Sequence, residues 1–151
     1  QIPNTNKLYL DGLKVGDQPQ TQVTYAVTVF PTDGLSIKLQ SRWYSDYYAD
    51  YDALTRNNPA DREQSWKIPS FTVYDLHVNY NLPETFGPFN VSLFAHAFNL
   101  FDSTYIADAS DNSSFEGLPP GHLGVQSHSA QSASVFFGQK FRWNIGAKFR
   151  F

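Results

Sequence analysis

Asp75 and His77 stand two residues apart in FTVYDLHVNYNL, so on an extended chain they share a face, and a carboxylate beside an imidazole is raw material for acid/base chemistry. A second chemistry is suggested by SDYYADYDAL, Ser45 to Leu54: its Tyr rings can stack on a sugar or an aromatic chelate, and its Tyr and Asp oxygens can approach a hard cation. Tyr47, Tyr48, Asp50, Tyr51 and Asp52 are therefore candidate substrate contacts. Asp108, Asp111, Asn112 and Glu116 invite a calcium reading, but they lack the alternating oxygen ligands and glycine pivot of a calcium loop. His122 and His128, in a Gly/Ser-rich stretch, read as solvated rather than metal-binding. Cysteine is absent, which removes disulfides, thiolate metal sites and a Cys nucleophile together. With no G-x-S-x-G, H-E-x-x-H or phosphate-binding Gly loop either, neither catalysis nor a resident cofactor is expected.

The elements that must position these residues are strands. Period-2 alternation recurs from Gln22 to Phe30, from Leu35 to Trp43, from Phe71 to Leu82, from Phe89 to about Tyr105, and from near Ala133 to Phe151, and helical periodicity is hard to find. In the third run Thr72, Tyr74, Leu76, Val78 and Tyr80 alternate with Asp75, His77, Asn79 and Asn81, giving one apolar and one wet face. Lys38, Arg42, Asp75, His77 and His96 then fall on the wet side, where Phe94 and Phe98 interrupt the polarity. The connections PTDG and Pro83 to Pro88 are tight, whereas Ser45 to Ser70 and Ile106 to Ser132 are long and polar. Asp11 to Gln20 reads as a further loop, preceded at Lys7 to Leu10 by the tail of another strand.

This pattern predicts an all-β, antiparallel transmembrane barrel segment. Short and long connections alternate as periplasmic turns and outer loops do, and lipid-facing residues alternate with lumen-facing ones, which keeps mean hydropathy negative. No run approaches the length of a transmembrane helix. An aromatic share of 17% supplies rings for interfacial girdles, with Trp43, Tyr44, Tyr47, Tyr48, Trp66 and Tyr105 near strand ends. A net charge of −3 without a Lys/Arg cluster argues against a nucleic-acid partner. The strands are too few to close a barrel alone, since the smallest bacterial examples have about eight. Further strands are thus expected as partners.

Several stretches resemble one family. Asn99, Leu100, Phe101 and Asp102 followed by Tyr105 (NLFDSTY) are similar to the signature near the end of TonB-dependent outer-membrane receptors. PSFTVYDLHVNYNL resembles the stretch just upstream of it, DGLKVGDQPQTQVTYAV an earlier hairpin, and VFFGQKFRWNIGAKFRF the closing strand. The resemblance implies about the last five strands of a 22-stranded barrel, with the plug and the TonB-contacting region upstream. It implies energy-coupled uptake of a scarce solute, foremost a ferric siderophore or related metal chelate, with SusC-like oligosaccharide or peptide import as the second branch. Implied partners are the remaining strands and plug, the TonB complex, the bilayer, a surface lipoprotein in the SusC-like case, and the barrel-assembly machinery. That machinery would read the final aromatic strand, with Trp143, Phe149 and Phe151 as its signal. The readings of another class are a passive porin or adhesin barrel and a soluble β-sandwich binding module.

Overall fold

The structure, a computed structural model, describes residues 7–83, 89–113 and 128–150. It is all-β: β1 (Pro19–Thr32), β2 (Leu35–Tyr48), β3 (Lys67–Ile68), β4 (Phe71–Asn81), β5 (Asn90–Phe98), β6 (Ile106–Asp111), β7 (Ala133–Phe137) and β8 (Arg142–Arg150), with one 3-10 turn at Ala53–Thr55 among the described residues. The chain divides into two compact units. A sheet unit comprises Gln22–Tyr44, Phe71–Tyr105 and Gly138–Phe151; a loop unit comprises Gln1–Thr21, Ser45–Ser70 and Ile106–Phe137.

In the sheet unit the strands run in the order β1-β2-β4-β5-β8, and the registers among β2, β4, β5 and β8 are antiparallel. Alternation in sequence becomes segregation in space because paired residues share a face. One face carries the rows Leu39, Leu76, Ala97, Trp143 and Ile37, Val78, Ala95, Ile145. The opposite face carries Lys38, His77, His96, Asn144, and beside it Ser36, Asn79, Phe94, Gly146. The Phe94 ring occupies the space a side chain on Gly146 would need, so an aromatic fills the gap that the strand glycine leaves.

Among the described residues, much of both faces is open, with Ser41, Val73 and Asp75 buried towards one end of the sheet. Val73 is the one apolar side chain of the sheet unit that is buried among them, while Trp143 is 65% and Ile145 70% exposed. The PTDG turn between β1 and β2 depends on Gly34, at φ +78°, where a Cβ would run into the backbone carbonyl of Asn81.

The loop unit has its own small core of Tyr47, Ala49, Ile68 and Ala109. The end of β2 pairs with β3 through Tyr47 opposite Ile68, and β6 pairs with β7. Both stretches expected as long loops are therefore partly strand. The expected single run from Ala133 to Phe151 is two strands, β7 on β6 and β8 on β5, separated at 138–141. The fourth run stops at Phe98 rather than Tyr105, because Asn99 and Asp102 take positive φ angles that end it. Lys7–Leu10 is not strand: Tyr9 N–H donates to the Arg56 carbonyl at 2.8 Å and its ring packs under Arg62.

Gly34→Ala is expected to destabilise the sheet by about 1–3 kcal/mol, since it adds positive-φ strain to a backbone clash. A denaturant-unfolding midpoint equal to the parent's would refute the role given to this turn.

Candidate functional site

On the wet face of the sheet unit the sequence suggests an Asp75–His77 pair, and the structure separates them. The Asp75 carboxylate, 3% exposed, accepts from Arg42 Nη2 at 2.5 Å and from the Asn99 backbone N–H at 3.0 Å. His77 instead meets His96 across the strands, Nδ1 to Nδ1 at 2.8 Å. At that distance one ring nitrogen donates and the other accepts, the tautomers deciding which. Lys38 lies opposite His77 in register, so all five wet-side candidates do share a face. The two phenylalanines there are ring partners: Phe94 stacks on His96, and Phe98 meets His77 edge-on with Arg142 over its face.

The NLFD stretch is a clasp. Asn99 Nδ2 donates to the carbonyls of Ser103 (2.8 Å) and Gln139 (3.0 Å), and its Oδ1 accepts from Ser103 N–H (2.9 Å). Asp102 Oδ1 accepts from Phe141 N–H at 2.9 Å, and Leu100 N–H donates to the Tyr74 carbonyl at 2.7 Å. Both Asn99 and Asp102 are left-handed, a conformation these short polar side chains tolerate. Phe101 is exposed and touches Tyr74 edge-on. Tyr105 stacks on Phe71 and lies where a side chain on Gly138 would stand. The clasp thus fixes the chain just ahead of β8. Trp143 and Phe149 lie exposed on β8, and Phe151 lies outside the described residues.

The loop unit brings the two long polar stretches together. Asp50 N–H donates to the Ala109 carbonyl (2.8 Å) and Asp111 N–H to the Asp50 carbonyl (2.7 Å), a backbone clip between them. Beside the clip is a cleft of about 370 Å³, near the lower end of ligand pockets. Asp50, Tyr51, Asp52 and Thr55 line it from one stretch; Ser110, Asn112 and Ser113, over Asp111, line it from the other. Asp52 also caps the 3-10 turn, its Oδ1 accepting from Leu54 N–H at 2.9 Å. Three of the five predicted substrate-loop residues thus meet at one cavity. The other two are structural: Tyr47 is buried and donates its hydroxyl to the Ala107 carbonyl, and Tyr48 lies beneath Lys67, which pairs with Asp46 at 2.6 Å.

Underneath lies a group the sequence does not reveal. Arg56 is 1% and Asp61 2% exposed, and Arg56 Nη1 donates to Asp61 Oδ1 at 2.7 Å and to the Glu63 carbonyl at 3.0 Å. His128, expected to be solvated, is buried between two carboxylates: Nε2 lies 2.8 Å from Asp61 Oδ1, and Nδ1 2.7 Å from Asp111 Oδ2. Both ring nitrogens donate only if the imidazole is protonated. Two cations then balance two carboxylates. Asp111 further accepts from Trp66 N–H (3.1 Å) and Ser113 N–H (2.9 Å), and the Tyr51 ring sits 4.7 Å from the Arg56 guanidinium. His122 and Glu116 lie outside the described residues. Charges in a polar stretch are usually solvated, so spacing alone gives no sign that Arg56 and Asp61 are enclosed.

Burial pushes the His128 pKa down, but its bonds to Asp111 and Asp61 outweigh that and hold it above the ordinary value, with Arg56 opposing. Burial pushes Asp111 up, and the bonds from His128 and Ser113 outweigh it and hold the carboxyl well below the usual range. Among the described residues no three His, Asp or Glu side chains gather as a metal cage. No family model, no curated protein and no solved structure matches the chain.

The signs of these shifts set a pH window. His128 contributes stability that is complete below the unfolded imidazole value of about 6.5 and is lost as pH rises through its higher folded pKa. Asp111 contributes above the unfolded carboxyl value of about 3.9 and loses this as pH falls through its lower folded pKa. Amide protection at Trp66 and Ser113, corrected for intrinsic exchange, is expected to be greatest between those limits and to fall above them. Flat protection into the alkaline range would contradict a protonated His128. Asp61→Ala leaves Arg56 and His128 facing each other and is expected to cost the loop unit about 3–5 kcal/mol, read from chemical denaturation.

Proposed function

We propose that the chain forms closing strands of an outer-membrane β-barrel of the TonB-dependent receptor type, and takes part in energy-coupled uptake of a scarce solute, with a ferric siderophore or related metal chelate as the leading cargo. The observation that carries this reading is the uncovered apolar face of the sheet unit. Leu39, Trp143, Ile145 and Phe149 stand 40 to 70% exposed on it, in continuous rows with Val78 and Leu76. In water such a face is an aggregation hazard, and in a bilayer it is the ordinary exterior of a barrel. The reverse face, where Arg42 meets Asp75 and His77 meets His96, suits a polar lumen.

The ends of the strand order support the same reading. β1 and β8 are the outermost strands in that order, and each leaves a row of peptide groups that hydrocarbon cannot satisfy at several kcal/mol each. Additional strands on both sides remove that cost. A β-sandwich would answer the same need by packing a second sheet on the apolar face, and the sheet unit by itself is a single layer. On the barrel reading, the segments of the loop unit are outer loops that meet the solute, and the NLFD clasp sets where β8 begins. Dependence on a proton gradient separates the receptor from a passive porin: uptake by the receptor stops when the gradient is collapsed, and a porin's continues.

A paired substitution tests the membrane assignment. Ile145→Arg places a charge on the proposed lipid face and is expected to cost about 2–4 kcal/mol near the midplane. Asn144→Arg, one residue earlier and on the wet face, is expected to be nearly neutral. The readout is the yield and urea stability of folded protein in the outer-membrane fraction. Equal tolerance at both positions would count against a lipid-facing sheet.

A further inference from the structure

We infer that the cleft between residues 50–55 and 110–113 receives a cationic, hydroxylated group of the solute and discriminates against an anionic one. The inference rests on the receptor reading and narrows its cargo by charge.

The cleft wall is rich in acceptors and, among the described residues, contains no Lys, Arg or His. Asp50 and Asp52 bring carboxylates, Ser110, Ser113 and Thr55 bring hydroxyls, and Asn112 brings a carboxamide. Such a wall pairs best with N–H and O–H donors. The guanidinium of Arg56 is 1% exposed, lies against the Tyr51 ring and donates through Nη1 to Asp61 and the Glu63 carbonyl, so it is not presented to an anion in the cleft. The Asp111 carboxylate is likewise spent on His128, Trp66 and Ser113. What remains for a ligand is the charge of Asp50 and Asp52.

The wider setting has the same sign. Within the segments of the loop unit, Asp and Glu outnumber Lys and Arg by ten to five. The Asp17 carboxyl is held above its ordinary pKa by a hydrogen bond to Asp108, by desolvation, and by the charges of Asp108 and Asp50. A negative field of this kind raises the local concentration of cations and repels anions before contact. With no three-ligand cage among the described residues, a bare metal ion is a poorer fit than an ammonium. The volume, about 370 Å³, suits one functional arm of a chelate rather than all of it.

One chelate carried in three charge states tests this. A ferric trihydroxamate bearing a free primary amine, its N-acetyl derivative and its N-succinyl derivative differ at the arm by one charge per step. Binding to the detergent-solubilised receptor that contains this chain is followed by fluorescence quenching at low and high salt. The expected order is amine, then acetyl, then succinyl, with about fivefold between steps at low salt, the effect of one unit charge near 4 Å in water. High salt should shrink the steps. Asp50→Asn combined with Asp52→Asn should abolish them, while the carboxamide oxygen placed at position 52 still caps the turn. Equal binding of all three, or a preference for the succinyl form, overturns the charge assignment and leaves the receptor reading standing. Failure of all three to bind overturns the cleft as a site for such an arm, and the receptor reading then stands or falls on whether uptake stops when the proton gradient is collapsed.

Discussion

Everything in the sheet unit depends on the register of its backbone ladder. Pairing Leu39 with Leu76, Ala97 with Leu76, and Ala97 with Trp143 commits every other residue on four strands to a face. A slip of one residue on β4 would carry Asp75 and His77 into the apolar rows and Leu76 and Val78 among the polar ones. Arg42 would lose Asp75, and His96 would lose His77. The polar contacts therefore do more than fill the wet face: each is satisfied in one register only, and together they penalise the alternatives. The turn at Gly34 and the clasp at Asn99 pin that register at opposite ends of β4, through Asn81 and Tyr74.

The loop unit solves a different problem. It has few apolar residues to bury, and much of what it encloses is polar: Arg56, Asn58, Asp61, Ser65 and Asp111. Ion pairs out of water are costly unless every charge is matched and its remaining valences are bonded. Here Asp61 serves Arg56 and His128, and Asp111 serves His128, Trp66, Ser113 and Ser132. Removing one member leaves its partners charged and enclosed, so the arrangement holds as a set. It ties segments far apart in sequence, 56–66, 111–113 and 128–132, into one body beneath the cleft. His128 N–H also donates to Ser113 Oγ at 2.8 Å, a further tie between two of these segments.

What is legible in the sequence follows from which forces act locally. Alternation is local, so the strands are readable, and so is the common face of Lys38, Arg42, Asp75, His77 and His96. Strand ends are less readable. Phe98 and Tyr105 belong to one apolar run in sequence, yet Asn99 and Asp102 break it because their side chains close a turn whose partners, Gln139 and Phe141, lie some forty residues away. The run from Ala133 likewise conceals a change of partner from β6 to β5, which alternation alone does not record. At the site, composition finds Asp50, Tyr51 and Asp52. It does not find the other wall, since Ser110, Asn112 and Ser113 become neighbours only through the clip at Asp50. His128 looks solvated in sequence for the same reason: its two carboxylates come from distant segments.

On the receptor reading proposed above, the separation of roles between the two units bears on how such an architecture can change cargo. The face pattern of the sheet is constrained by register, so substitution that crosses it is costly. The cleft wall is less constrained. Asp50 makes its clip with main-chain atoms, and Asp52 needs only an acceptor for Leu54 N–H, so either charge can be altered without disturbing the buried set below. Arg56, Asp61, Asp111 and His128 hold the floor in place whatever the wall displays. On that reading, a floor held by its own ion pairs under an adjustable acidic rim lets selectivity by charge vary while the fold stays fixed.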